Sequence, residues 1–189
     1  PEIDGWASGL YTAGRNDMMS NGSDVVWRSP VDKDILLVLN DTKPQNNDGS
    51  LGSINGFKYL ELDGGNIAAV WQAATVQQLP DGGTDGIQNI YARVIDPNTG
   101  EFVTGELNLT NNLGATPYNE RYTFADGFGN PEALVLQDDG GFTLNLRQYN
   151  GDLGSITING AGLNTLTQVD LPEIDGWASG LYTAGRNDM

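Results

Sequence analysis

The first 18 residues of the chain, PEIDGWASGLYTAGRNDM, recur without a change at positions 172–189. An identical run of that length does not arise by chance, and a fixed period, here 171 residues, marks an array built from one unit. The sequence therefore predicts two parts: residues 1–171 as one complete repeat unit, and residues 172–189 as the first 18 residues of the next identical repeat. Within the repeated piece, Ile3, Trp6, Leu10 and Tyr11 are apolar, as are their second copies Ile174, Trp177, Leu181 and Tyr182. Eighteen residues are too few to bury them alone, so they are expected to pack against a neighbouring identical repeat, in the same chain or in the next subunit of a fibre.

The unit between the copies reads as all-β. Phe142, Leu144 and Leu146 alternate with Thr143, Asn145 and Arg147, and Ile156 and Ile158 flank Thr157, the period of strands with one buried face. Leu134 to Leu136 is a short, fully apolar run, expected to be more deeply buried. Asp34–Leu39, Phe57–Leu62 and Ile87–Ile95 are further strands. Asp96-Pro97-Asn98-Thr99-Gly100 supplies hairpin-turn chemistry, with Glu101–Leu109 as the returning strand. No amphipathic helix of ten or more residues is evident.

A weaker repeat lies inside the period. Tyr59 to Gln72 reads strand, Asp-Gly-Gly turn, strand, and Ala133 to Gln148 echoes it around Asp138-Asp139-Gly140-Gly141. Met18 to Ser29 is a degenerate third copy. Aligned on Asp-Gly-Gly, Arg147 stands where the Tyr59–Gln72 copy has Trp71. Asp63-Gly64-Gly65, Trp71-Gln72, Tyr91-Ala92-Arg93 and Asn98-Thr99-Gly100 together resemble the propeller-like repeats of giant tandem-repeat bacterial surface and adhesin-type proteins. That resemblance implies propeller-like sheets. The residues themselves are equally compatible with sandwich-like sheets, and a β-solenoid array is the alternative.

Charge narrows the function classes. The chain carries 25 acidic and 9 basic residues, a net charge of −16. Such a chain offers no basic face to nucleic acid or to an anionic membrane, and no apolar run is long enough to cross a bilayer as a helix. With no cysteine and no histidine, disulfides, Cys/His zinc sites and Ser-His-Asp or Cys-His nucleophiles are impossible. The sequence begins without Met and without a leader, and is expected to be an interior stretch of its parent.

Divalent cations are the natural counterions, and calcium favours oxygen ligands in Gly-rich loops. The residues in that pattern are Asn46, Asp48 and Ser50, then Asp81 and Asp85, then Asp138 and Asp139. The same residue types are ordinary turn formers, which is the stronger reading. Trp6, Trp27, Trp71 and Tyr91 are either sugar-stacking platforms or, with the greater weight, core. Asn21, Asn40 and Asn108 each begin an acceptor triplet for N-glycosylation. No pair of carboxylates is singled out by spacing, so the chain is expected not to be an enzyme.

Uniform repetition serves length or valency. The expectation is a structural tandem-repeat unit of a long extracellular filament, adhesin stalk or matrix fibre at the cell surface. A carbohydrate-binding β-propeller or lectin module, with surface carbohydrate as partner, is the alternative. It requires an aromatic and polar partners converging in an open pocket.

Overall fold

A computed structural model describes residues 11–12, 18–20, 24–29, 36–41, 43–46, 48–50, 52–78, 84–110, 122–125, 132–148, 153–167 and 175–178. The described residues form fourteen strands and one 3-10 turn, Gly160–Thr165, so the all-β expectation stands. Every pairing among them is antiparallel.

The strands fall into three sheets in chain order. The first holds β1 (Tyr11–Thr12), β2 (Met18–Ser20), β3 (Val25–Arg28) and β4 (Leu36–Val38), each paired with the next. The second is built on three long strands, β5 (Ser53–Glu61), β6 (Ile67–Gln78) and β7 (Thr84–Asp96), with β8 (Glu101–Phe102) and β9 (Leu107–Asn108) along the outer side of β7. The third runs from β10 (Tyr122–Phe124) and β11 (Leu134–Leu136), both paired to β12 (Phe142–Gln148), through β13 (Leu153–Ile158) to β14 (Asp175–Ala178).

Side-chain alternation stacks these sheets face to face. From β6 and β7, Ala68, Val70, Ile90, Ala92 and Val94 join Phe142, Leu144, Leu146, Ile156 and Ile158 in one core between the second and third sheets. The opposite faces of the same two strands send Ile67, Ala69, Trp71 and Ile95 into a second core with Val25, Trp27 and Leu39 of the first sheet. The middle sheet is thus covered on both sides, which explains its unbroken burial from Ile67 to Ala73. Alanines at 68, 69 and 73 contribute little bulk where layers meet on both faces.

Both Asp-Gly-Gly segments close hairpins, and their turn hydrogen bonds match when the register is shifted by one residue. In the β5–β6 turn, Leu62 N–H donates to Asn66 O and Gly65 N–H to Leu62 O. In the β11–β12 turn, Gln137 N–H donates to Gly141 O and Gly140 N–H to Gln137 O. Gly65 and Gly140 share a left-handed backbone, at φ 90° and 82°, where glycine is favoured. Equivalent residues are therefore those that match Gly65 with Gly140, which puts Leu146, not Arg147, at the position of Trp71. Backbone conformation, rather than the Asp-Gly-Gly letters, sets the alignment.

The hairpin at Asp96–Gly100 forms as expected. Gly100 N–H donates to Asp96 O, and Gly100 takes φ 72°. Asp96 Oδ1 accepts Asn98 N–H at 2.8 Å, and that bond holds the Asp96 carboxyl below its ordinary pKa. The returning strand differs from expectation: it is broken into β8 and β9. Val103 N–H and Thr104 N–H both donate to Val94 O, a bulge that uses up one ladder position. Two threonine hydroxyls replace missing carbonyl partners, Thr104 accepting Val94 N–H at 3.0 Å and Thr110 accepting Ile90 N–H at 3.1 Å. A second correction concerns Leu134–Leu136. Leu134 is buried, but Val135 and Leu136 are 36% and 40% exposed, because the strand lies at the rim of its sheet.

Candidate functional site

Two sheet edges face each other. β5 is an outer strand of the middle sheet, and β11 lies on the outer side of β12 in the third. Between them is an open cleft of about 380 Å³, lined by Phe57, Lys58, Tyr59 and Leu60 on one wall and Glu132, Ala133 and Leu134 on the other. That volume falls in the range of small-molecule sites.

Strand alternation decides what each residue offers. Phe57 and Tyr59 pack in the core shared with the first sheet, so their rings serve that core. Lys58 and Leu60 point to the opposite face. There Leu60 packs beside Ala133 and Leu134 as an apolar floor. The Lys58 ammonium lies 5.6 Å from the centre of the Phe124 ring, a cation–π contact with β10. Glu132 is exposed on the opposite wall, and its backbone carbonyl accepts from Asn145 Nδ2 at 2.7 Å, which fixes the chain at that point. A lysine, a glutamate and an apolar floor thus line the cleft from two sheets. Sequence reading did not find this site, since Lys58 and Glu132 are far apart in the chain and neither sits in a motif.

The residues singled out by sequence lie elsewhere. Trp27 and Trp71 are each 1% exposed, and Trp71 stacks on Tyr91 with ring centroids 6.0 Å apart and planes at 12°. These two tryptophans are core rather than sugar platforms; Trp6 lies outside the described residues, and of Trp177 only the strand placement is described. Arg93, from the Tyr-Ala-Arg motif, is 5% exposed and crosses to the first sheet, donating to Leu39 O at 2.7 Å and to the Asp41 carboxylate. Its guanidinium also covers the Phe102 ring at 3.9 Å. It clamps two sheets together. Burial chiefly, and the nearby Glu106 carboxylate second, push the Tyr91 phenol above its ordinary pKa.

Asn46, Asp48 and Ser50 do come together, and they bond to one another. Ser50 N–H and Oγ both donate to Asp48 Oδ1, at 2.9 and 2.6 Å, and Asn46 Nδ2 donates to Ser50 Oγ at 2.9 Å. The Ser50 hydroxyl bond, with the Ser50 N–H bond second, lowers the Asp48 pKa. Asp139 accepts Gly141 N–H and Gly160 N–H, bracing its turn against the 3-10 segment. Among the described residues no group of three or more acidic side chains gathers to hold a metal. Asp81 lies outside the described residues, and the Asp85 side chain is not described. Of the acceptor triplets, Asn40 is 4% exposed and its Oδ1 accepts Val25 N–H at 2.8 Å, so its amide is committed inside the fold. Asn108 is half-buried on β9, and Asn21 lies outside the described residues. In the two repeated segments, Tyr11 is placed in β1 and Trp177 in β14; Ile3, Trp6, Leu10, Ile174, Leu181 and Tyr182 lie outside the described residues.

No protein-family model and no curated protein matches the chain. Among solved structures it is similar to a GDP-Man-dependent mannosyltransferase from Leishmania mexicana, at 15% identity over 86% of this chain and 54% of that one, with a TM-score of 0.41. It is also similar to a mannose phosphorylase from Leishmania mexicana in complex with phosphate ion, at 13% identity over 82% of this chain and 53% of that one, with a TM-score of 0.39. The chain spans about half the length of each. These structures are carbohydrate enzymes, not filament units. On that finding the expectation of a structural unit in a filament, adhesin stalk or matrix fibre, and of a chain that is not an enzyme, is corrected. Repetition of sequence speaks to copy number and not to what each copy does. Likeness at these scores transfers no activity to this chain.

Proposed function

We propose that the three sheets are successive blades of a β-propeller-type array with a 171-residue period, and that the cleft between β5 and β11 binds a saccharide. The observation that carries the binding role is one open cleft lined by Lys58, Glu132 and the Leu60–Ala133–Leu134 floor. A site with charges of one sign selects ions of the other. A cation and a carboxylate together suit a neutral ligand whose hydroxyls both donate and accept, while the apolar floor takes the C–H face of a sugar ring. The propeller reading is supported by the face-to-face stacking and the near-meander order of each sheet.

The test is a panel of neutral oligosaccharides, mannose-containing ones among them, titrated against the intact chain by calorimetry. Glu132→Gln and Lys58→Met are the variants, each removing a charge while nearly keeping the side-chain length. Loss of one charged hydrogen bond, worth about 1.5–3 kcal/mol, corresponds to a fall in affinity of roughly tenfold or more. That fall, with melting temperature unchanged, is the expected result. No binding across the panel, or binding that neither variant weakens, overturns the proposal.

A further inference from the structure

β14 completes the third sheet by pairing antiparallel with β13, Ala178 opposite Leu153 and Asp175 opposite Ser155, with an irregularity between. Its sequence, Asp-Gly-Trp-Ala, is also that of residues 4–7. A strand position that accepts one copy through backbone hydrogen bonds offers the other the same partners, residue for residue.

We infer that the outer edge of β13 is a strand-acceptor site whose second occupant is residues 4–7 of another copy of this chain. The chain's own residues 4–7 cannot reach it. Residue 7 is four residues from Tyr11 in β1, a reach of about 14 Å at roughly 3.5 Å per residue. β1 belongs to the first sheet and β13 to the third, with the middle sheet between them. Two sheet spacings of about 10 Å separate those layers by about 20 Å. In the intact chain residues 175–178 hold the site, because their short tether to β13 gives them the higher effective concentration.

Proline removes a strand's N–H donor and is confined to sheet edges and bulges. Replacing two adjacent residues removes whichever donor faces β13. The full-length variant G176P/W177P, measured by sedimentation over a range of concentrations, is expected to self-associate where the unchanged chain does not. Adding G5P/W6P to the same variant is expected to return it to monomer. A folded G176P/W177P that stays monomeric at every concentration overturns the inference, as does association that persists in the four-proline variant. If G176P/W177P loses its far-ultraviolet β signal, excess synthetic peptide of residues 1–18 is expected to restore it, and failure to do so overturns the inference.

Discussion

The β5–β6 and β11–β12 hairpins close with the same pair of backbone hydrogen bonds. Yet β6 is buried residue after residue from Ile67 to Ala73, while β12 alternates buried Phe142, Leu144 and Leu146 with half-buried Thr143, Asn145 and Arg147. The turn hydrogen bonds are the same in both, although Gly64, at φ 92°, stands where the other turn has Asp139. What differs is place in the stack. The middle sheet has a neighbour on each face, and the third has its apolar core on one. A strand's composition therefore reports how many layers cover it, and a hairpin's turn reports only that it is a hairpin.

The largest test of this contrast pairs Trp71→Ala with Thr143→Ala. Trp71 fills the core between the first and middle sheets, and removing its ring should cost about 3–5 kcal/mol. Thr143 lies on the polar face of β12, where its hydroxyl meets that of Thr157 at 2.8 Å, and its loss should cost about 1 kcal/mol or less. Denaturant midpoints measure both. Similar costs would break the distinction between a doubly covered and a singly covered sheet.

A smaller effect separates the two turns themselves. Gly141 occupies the position of Asn66, yet a methyl group on Gly141 would meet Ile158 O at 2.0 Å. That turn is pressed against the junction of β13 and the 3-10 segment, whereas Asn66 carries a side chain freely. Gly141→Ala should cost about 1–3 kcal/mol, and Asn66→Ala about 0.5 kcal/mol or less. By contrast Gly65→Ala and Gly140→Ala should cost the same, about 1–2 kcal/mol each, because both glycines hold the left-handed conformation. Unequal losses there would undo the structural alignment of the hairpins.

Much of this architecture was legible in the chain. Alternation located β12 and β13, and the Asp96–Gly100 chemistry located its hairpin, because one buried face and one positive φ each leave a local mark. The break between β8 and β9 left none, since it depends on Thr104 and Thr110 reaching the β7 ladder through space. Val135 and Leu136 were misread because apolarity does not say which strand ends at a rim. The cleft was invisible for a related reason. Lys58 and Glu132 are ordinary surface residues until the edges of two sheets are brought together.

The smallest expected effect is a pH dependence at Tyr91. Burial raises its pKa above the ordinary 10.0, so the folded state holds the phenol proton more tightly than the unfolded chain does. The resulting stability is fully present below pH 10 and is lost as pH rises toward the folded-state value. Tyr91→Phe cannot ionise, so the variant should lose less stability than the unchanged chain on alkaline titration. Parallel stability curves for the two proteins would show that Tyr91 does not titrate from inside the stack.

The layered arrangement is tested most directly by native-state hydrogen exchange on the intact chain. With cores on both sides, the amides of Ile67–Ala73 in β6 should exchange only through global unfolding. Those of Thr143–Leu146 in β12, paired as fully but packed on one apolar face, should exchange through a smaller opening at lower free energy. Protection that ranks β6 above β12 is the expected result. Equal protection, or β12 outlasting β6, would contradict a middle sheet held between two others.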